Sequence, residues 1–154
     1  MNTSIKKAKE SETIVMPAVS PDEAVVAWEA YQDLKKKIAT EQDIQVMQGR
    51  EFYKKSYWRK LATFFNISVE IVEERHERYE NNIVFYFTCK ATAPNGRYAI
   101  GSGSCDLFEK GRRNSFHNAR STAETRAFNR AISNLVGGGE VSAEEISETE
   151  ASLT

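Results

Sequence analysis

Cations interleaved with aromatics are the residues of this sequence best placed for recognition chemistry. Arg50, Lys54, Lys55, Arg59 and Lys60 surround Tyr53, Tyr57 and Trp58. Arg112 and Arg113 close a basic run begun at Lys110, and Arg126 and Arg130 follow four residues apart. Cations tracking phosphates, beside aromatic faces that can stack on bases, make a sequence-tolerant site for single-stranded nucleic acid. The competing reading buries the aromatics and leaves the cations as solvated surface. It is favoured for Trp58, which shares an apolar stripe with Leu61 and Phe65.

Covalent and metal chemistry find less support. His76, Cys89, Cys105 and His117 show no C-x-x-C or H-x-x-x-H spacing. A two-residue hairpin turn at Asn95-Gly96 sets Cys89 opposite Ser102, not Cys105. Glu70, Glu73, Glu74, Glu77 and Glu80 crowd one expected strand and its turn, and a metal-dependent nuclease needs such clustered carboxylates. Alternation puts Glu73 and Glu77 on one face and Glu70 and Glu74 on the other, with Arg75, His76 and Arg78 interleaved, which suits a charged edge strand better. Gly137-Gly138-Gly139 follows a helix, at the wrong end of its dipole for a phosphate. Gly101-Ser102-Gly103-Ser104 lies inside an expected strand. The residues point to no catalytic group, no metal and no cofactor.

The elements that must position these residues read as follows. Ser20-Pro21-Asp22-Glu23 is a capping box with proline at the first helical position. Val25, Trp28, Tyr31, Leu34 and Ile38 give that helix one apolar stripe, and Lys35, Lys36 and Lys37 suit its C-terminal dipole. A short hairpin over 43–54 turns at Gln48-Gly49. Ser56 then caps a second helix over about 57–65. A three-stranded meander follows, over about 67–79, 83–93 and 97–105. In its middle strand Ile83, Phe85, Phe87, Cys89, Ala91 and Ala93 share one face, and Val84, Tyr86, Thr88, Lys90 and Thr92 the other. Gly101 and Gly103 in the third strand signal strong curvature or close backbone approach. A last helix over about 116–136 carries Ala119, Ala123, Ala127, Ala131 and Leu135 at four-residue steps, small enough to lie close on a sheet. The expected fold is α+β: a curved antiparallel sheet, short hairpin plus meander, packed against a long C-terminal helix, with an added N-terminal helix.

At 154 residues, 40% hydrophobic and 28% charged, the chain is one domain's worth. No apolar run approaches the roughly 18 residues of a membrane span, and Met1 to Lys9 has no signal-peptide h-region. Two cysteines suit a reducing cytoplasm, near the nucleoid if DNA is the ligand. The net charge of −1 conceals an asymmetry. Residues 50–130 hold fifteen lysines and arginines against nine acidic residues, while residues 140–154 hold five glutamates and no cation. A basic body is a candidate for polyanion binding. The division expected is a flexible segment at 1–19, a DNA-binding domain at 20–139 and an acidic disordered tail at 140–154. That tail could bind a partner or fold back over the basic body.

From about residue 43 to 139 the chain resembles single-strand annealing proteins of the Rad-fifty-two family. The most specific match is the last helix, where A-R-x-x-A-x-T-x-x-x-x-R-A falls on Ala119, Arg120, Ala123, Thr125, Arg130 and Ala131. Gly49-Arg50-Glu51-Phe52 to Trp58-Arg59-Lys60-Leu61-Ala62 looks like the family's short hairpin and following helix. The resemblance implies homo-oligomeric rings holding single-stranded DNA in a basic outer groove for annealing, in recombination and repair, with a single-strand-binding protein or a recombinase as partner. Arg130 stands where the family has a DNA-contacting arginine. The basic residue usual just before it is Asn129 here, and another usual one turn later is Ser133. The expected DNA contacts are Arg130, Arg126, Arg120, Lys54, Lys55, Arg50, Arg112, Arg113 and Lys90. The alternatives are a single-strand-binding accessory protein that does not anneal, and a metal-dependent nuclease.

Overall fold

The computed structural model describes residues 14–109, 114–137 and 143–145. Their contacts divide the chain into two units, residues 1–37 and 38–154. Among the described residues the first holds helix α1 (Pro21–Ile38), whose last residue falls in the second unit. Its start follows the capping signal: the Glu23 amide donates to Ser20 Oγ at 3.2 Å, with Pro21 at the first helical position. Of its apolar stripe, Tyr31 is buried and Val25 and Trp28 are exposed.

The second unit holds β1 (Ile44–Met47), β2 (Arg50–Tyr53), α2 (Lys55–Phe64), β3 (Ser68–Tyr79), β4 (Asn82–Thr92), β5 (Tyr98–Asp106) and α3 (Phe116–Val136). Strands β1 and β2 form a two-stranded antiparallel sheet of their own, and β3-β4-β5 form a three-stranded antiparallel sheet in that order. The architecture is α+β with open sheets. The hairpin and the meander are therefore two sheets and not one.

The two hairpin turns exchange the roles their sequences suggest. Gln48 and Gly49 both take positive φ, 51° and 76°, between the paired residues Met47 and Arg50. That is the type I′ geometry expected of Asn-Gly pairs. At Asn95-Gly96 the strands instead close one step earlier. The Ala93 amide donates to Arg97 O and the Gly96 amide to Ala93 O, with positive φ at Gly96 alone. A two-residue turn would need the amide of residue 94 in the ladder, and Pro94 has none. The register moves by one, so Cys89 lies opposite Gly101 and Cys105 opposite Phe85.

A second correction concerns α2. Ser56 lies inside the helix, and Lys54 is the N-cap residue without a side-chain cap. Tyr57, Trp58, Leu61 and Ala62 are buried on one face of α2, against a neighbouring face of α3. The hairpin is tied to α2 by a polar knot. Buried Asp43 accepts from the Thr40 amide at 2.9 Å, Thr40 Oγ1 at 3.0 Å and Lys60 Nζ at 2.6 Å.

The main core lies between α3 and one face of the three-stranded sheet. Ile83, Phe87, Cys89 and Ala91 alternate inward on β4, and Ala119, Ala123, Ala127, Ala131, Ile132 and Leu135 face them from α3. Burial on this scale supplies about 1.5–3 kcal/mol per large apolar side chain. The opposite face of β4, with Val84, Tyr86, Thr88, Lys90 and Thr92, is only half-buried.

Candidate nucleic-acid interface

The candidate interface begins where α3 lies on β5. A Cβ built on Gly101 would stand 2.2 Å from the Ala131 amide nitrogen, and one on Gly103 would stand 2.5 Å from that of Ala127. Only hydrogen fits there, so the glycines serve close approach. The two elements run antiparallel with matched repeats. Four residues of helix advance about 6 Å and two residues of strand about 6.7 Å.

The same match sets a row of side chains along the free edge of β5. Arg126 Nη1 donates to Ser104 O at 2.7 Å, Arg130 Nη1 to Ser102 O at 2.9 Å, and Asn134 Nδ2 to Ile100 O at 2.9 Å. Carbonyls at every second strand residue thus meet donors at every fourth helix residue. The outward carbonyls of this edge are taken by the protein's own donors.

Arg126 and Arg130 line a groove of about 460 Å³ that crosses this edge onto the outer sheet face, with Arg75, Tyr86, Thr88, Ser102 and Ser104 along it. The outer face pairs cations with aromatic rings. Arg75 sits 4.0 Å over the Tyr86 ring and Lys90 4.4 Å over Tyr98. Such pairing holds a cation beside a flat surface, the two parts a stacked and phosphate-bound strand requires. Arg75 also bridges Glu73 at 3.4 Å and Glu77 at 2.6 Å. Glu77 is held below the usual carboxylate range by the Tyr79 hydroxyl and then by Arg75.

The expected contact residues do not form one patch. Arg130 is exposed on the groove. Arg126 is 6% exposed, and its guanidinium is taken up by Ser104 O, the Glu109 carboxylate and Glu144 O. Arg126 therefore organises the groove wall from inside, and Arg130 presents charge at its surface. Arg120, almost three turns before Arg130, bonds Glu74 on β3 through Nε at 2.8 Å and Nη2 at 2.6 Å. Lys90 lies on the outer sheet face. Lys54 and Lys55 stand at the start of α2, with Lys55 Nζ 5.1 Å over Phe128. Arg50 is exposed on the small hairpin. Arg112 and Arg113 lie outside the described residues.

Two aromatics expected near the cations are withdrawn from any ligand. Tyr57 and Trp58 are fully buried, with Tyr57 stacked on Tyr53 at 4.2 Å. Position 129, where the resemblance implies a basic residue, is a fully buried asparagine. Its Nδ2 donates to Glu144 Oε2 at 3.0 Å. The described part of the acidic segment is thus docked: Glu144 Oε1 also accepts from the Lys55 amide at 2.8 Å.

The carboxylate row of β3 is arranged differently from the simple alternation. A register change between Ile71 and Glu73 places Glu70 opposite Lys90, in the row of Glu73, Arg75 and Glu77, and leaves Glu74 on the helix side. Among the described residues no three His, Cys, Asp or Glu side chains gather as a metal site. Cys89 and Cys105 are buried free thiols, each pushed up to about 11 chiefly by burial. No helix among the described residues is long and apolar enough to cross a membrane.

Arg75 and Tyr86 are groove residues that the sequence reading left out of the expected contact set. The signal was present in the alternation of β4, which sets Tyr86 and Thr88 away from the helix. What was missing was the strand pairing that brings Arg75 opposite Tyr86. Compared with known proteins, the chain matches no family model, and no curated protein matches it significantly.

Proposed function

We propose that the chain binds single-stranded DNA and promotes annealing of complementary strands, as a homo-oligomeric ring acting in recombination and repair. The observation that carries this reading is the groove beside Arg130, which joins cations of α3 and β3 to the Tyr86 ring on an open sheet face. Phosphates bound to Arg130 and Arg75 would lose their repulsion for a second strand, and a rigid sheet would hold the bases accessible for pairing. Rings add multivalency, so that many weak subunit sites hold one long strand. Annealing of this kind uses no covalent step, metal or nucleotide.

The test is anisotropy of a labelled oligothymidylate across a salt series, with wild type and Arg130→Ala. The variant should bind more weakly and lower the slope of log K against log salt by about 0.7 for one lost phosphate contact. Unchanged affinity in a folded variant overturns the site. Light scattering with and without the oligonucleotide reads the assembly, and a monomer that binds nothing at low salt overturns the function. Binding without faster annealing of complementary oligonucleotides would make the protein a coating accessory.

A further inference from the structure

Strand β5 is an outer strand of its sheet, paired with β4 on one side only. The alternation of an antiparallel ladder decides which of its backbone groups face the other side. The Ala93 amide donates to Arg97 O, so residues 93 and 97 are a hydrogen-bonded pair. In the register that follows, Ala99, Gly101, Gly103 and Cys105 turn their backbone groups toward β4. Ile100, Ser102 and Ser104 turn theirs outward, and all three residues are exposed.

An ordinary edge residue offers one donor and one acceptor. Here the acceptors are already used, since the carbonyls of Ile100, Ser102 and Ser104 take Asn134, Arg130 and Arg126. The amides of the same residues point the same way and have no strand partner among the described residues. The edge therefore presents a row of N–H donors about 6.7 Å apart, with two guanidinium groups beside it. The carboxylates next to the groove already hold cations, Glu73 on Arg75 and Glu109 on Arg126. An incoming protein strand needs acceptors as well as donors, and at these residues it finds the acceptors taken. A phosphodiester backbone brings acceptors and negative charge, which is what a donor-only sheet edge fits.

We propose that the outward amides of Ser102 and Ser104 bind successive phosphates of a single strand, with Arg130 as the neighbouring cation. The inference rests on the strand-binding function above and names the part of the strand that this edge recognises. Both serines line the groove with Arg126 and Arg130. Arg126, Arg130 and Asn134 then act as positioning residues as well, because each removes a carbonyl that would repel a phosphate. Contacts of this kind fix the strand's backbone without reading its sequence, and leave base edges for a complementary strand.

Ser102→Pro tests the amide. Proline is tolerated on an edge strand where the N–H faces outward, and it deletes that donor. Ser102→Ala keeps the amide and removes only the hydroxyl. In oligothymidylate anisotropy the proline variant should bind about ten-fold more weakly, and the alanine variant within about two-fold of wild type. The slope of log K against log salt should stay unchanged in both, because no cation is lost. A folded proline variant of wild-type affinity overturns the proposal, as does equal weakening in both variants, which would assign the contact to the hydroxyl. If light scattering shows an assembly that Ser102→Pro breaks and Ser102→Ala keeps, the edge is a contact between copies and the proposal is overturned. Residue-resolved amide exchange on the wild-type protein needs no folded variant. Saturating oligothymidylate should slow exchange at Ser102 and Ser104, and unchanged rates there overturn the proposal. Slowing by pyrophosphate, with no oligothymidylate binding at low salt, supports an anion-binding edge and overturns the strand-binding function.

Discussion

Gly101 on β5 and Ala131 on α3 are so close that a single added methyl carbon would stand 2.2 Å from the Ala131 nitrogen. This contact, repeated two strand residues along at Gly103 and Ala127, seats the helix that carries Arg126 and Arg130. Gly101→Ala must push the helix off the strand, since the obstructing atoms are backbone. The expected cost is about 3 kcal/mol, or a Tm lowered by roughly 10 °C at this chain length. A Tm within experimental error of wild type would mean that the helix is not seated as described.

Arg126 and Arg130 should behave oppositely although they lie one turn apart. Arg126→Ala leaves Glu109 without its cation and frees the Ser104 and Glu144 carbonyls, for a loss of about 2–3 kcal/mol in urea unfolding. Arg130 is exposed, so Arg130→Ala should change stability by under about 1 kcal/mol. Two equally stable variants would contradict the burial assigned to Arg126.

Asp43 gives the fold an acid-sensitive tie. Burial by itself would raise its carboxyl, but Lys60, Thr40 and Ser56 together hold it well below the usual carboxylate range. A folded-state pKa below the unfolded one stabilises above the unfolded value, near 3.8, and that contribution fades as pH falls below it. Asp43→Asn should cost about 2 kcal/mol at pH 7. Its penalty should shrink below about pH 4, as measured by denaturation across a pH series. A penalty independent of pH would show that the carboxylate's charge is not what holds the knot.

Cys89 and Cys105 should be silent as nucleophiles. With their thiols pushed up to about 11 and both side chains buried, iodoacetamide at pH 8 should label neither in the native protein and both in urea, since the thiolate is the reactive form. Rapid native labelling would place one of them at the surface.

Much of the fold was legible along the chain. The alanine rows of α3, the alternation of β4 and the proline-started cap of α1 are local patterns, and each follows from a period of 3.6 or 2 or from a capping bond. The glycines of β5 signalled either strong curvature or close backbone approach, and the helix backbone against them decides for close approach. The excess of cations between residues 50 and 130 was equally visible.

What the chain order could not express are relations between distant residues. The hairpin register at Ala93 depended on one missing amide, at Pro94. The seat of Arg126 required Glu109 and Glu144 to arrive together, and a buried and an exposed arginine look alike in sequence. Glu144, read as part of a disordered tail, caps a helix begun at residue 55 because an uncapped helix start attracts any carboxylate that folding brings within reach. The bulge in β3 moved Glu70 across the sheet, since one extra residue inverts every alternation before it. Sequence determined which segments form elements and which faces they bury. Tertiary structure alone decided which charges meet one another and which face solvent, because pairing is fixed by distance in space and not by separation along the chain.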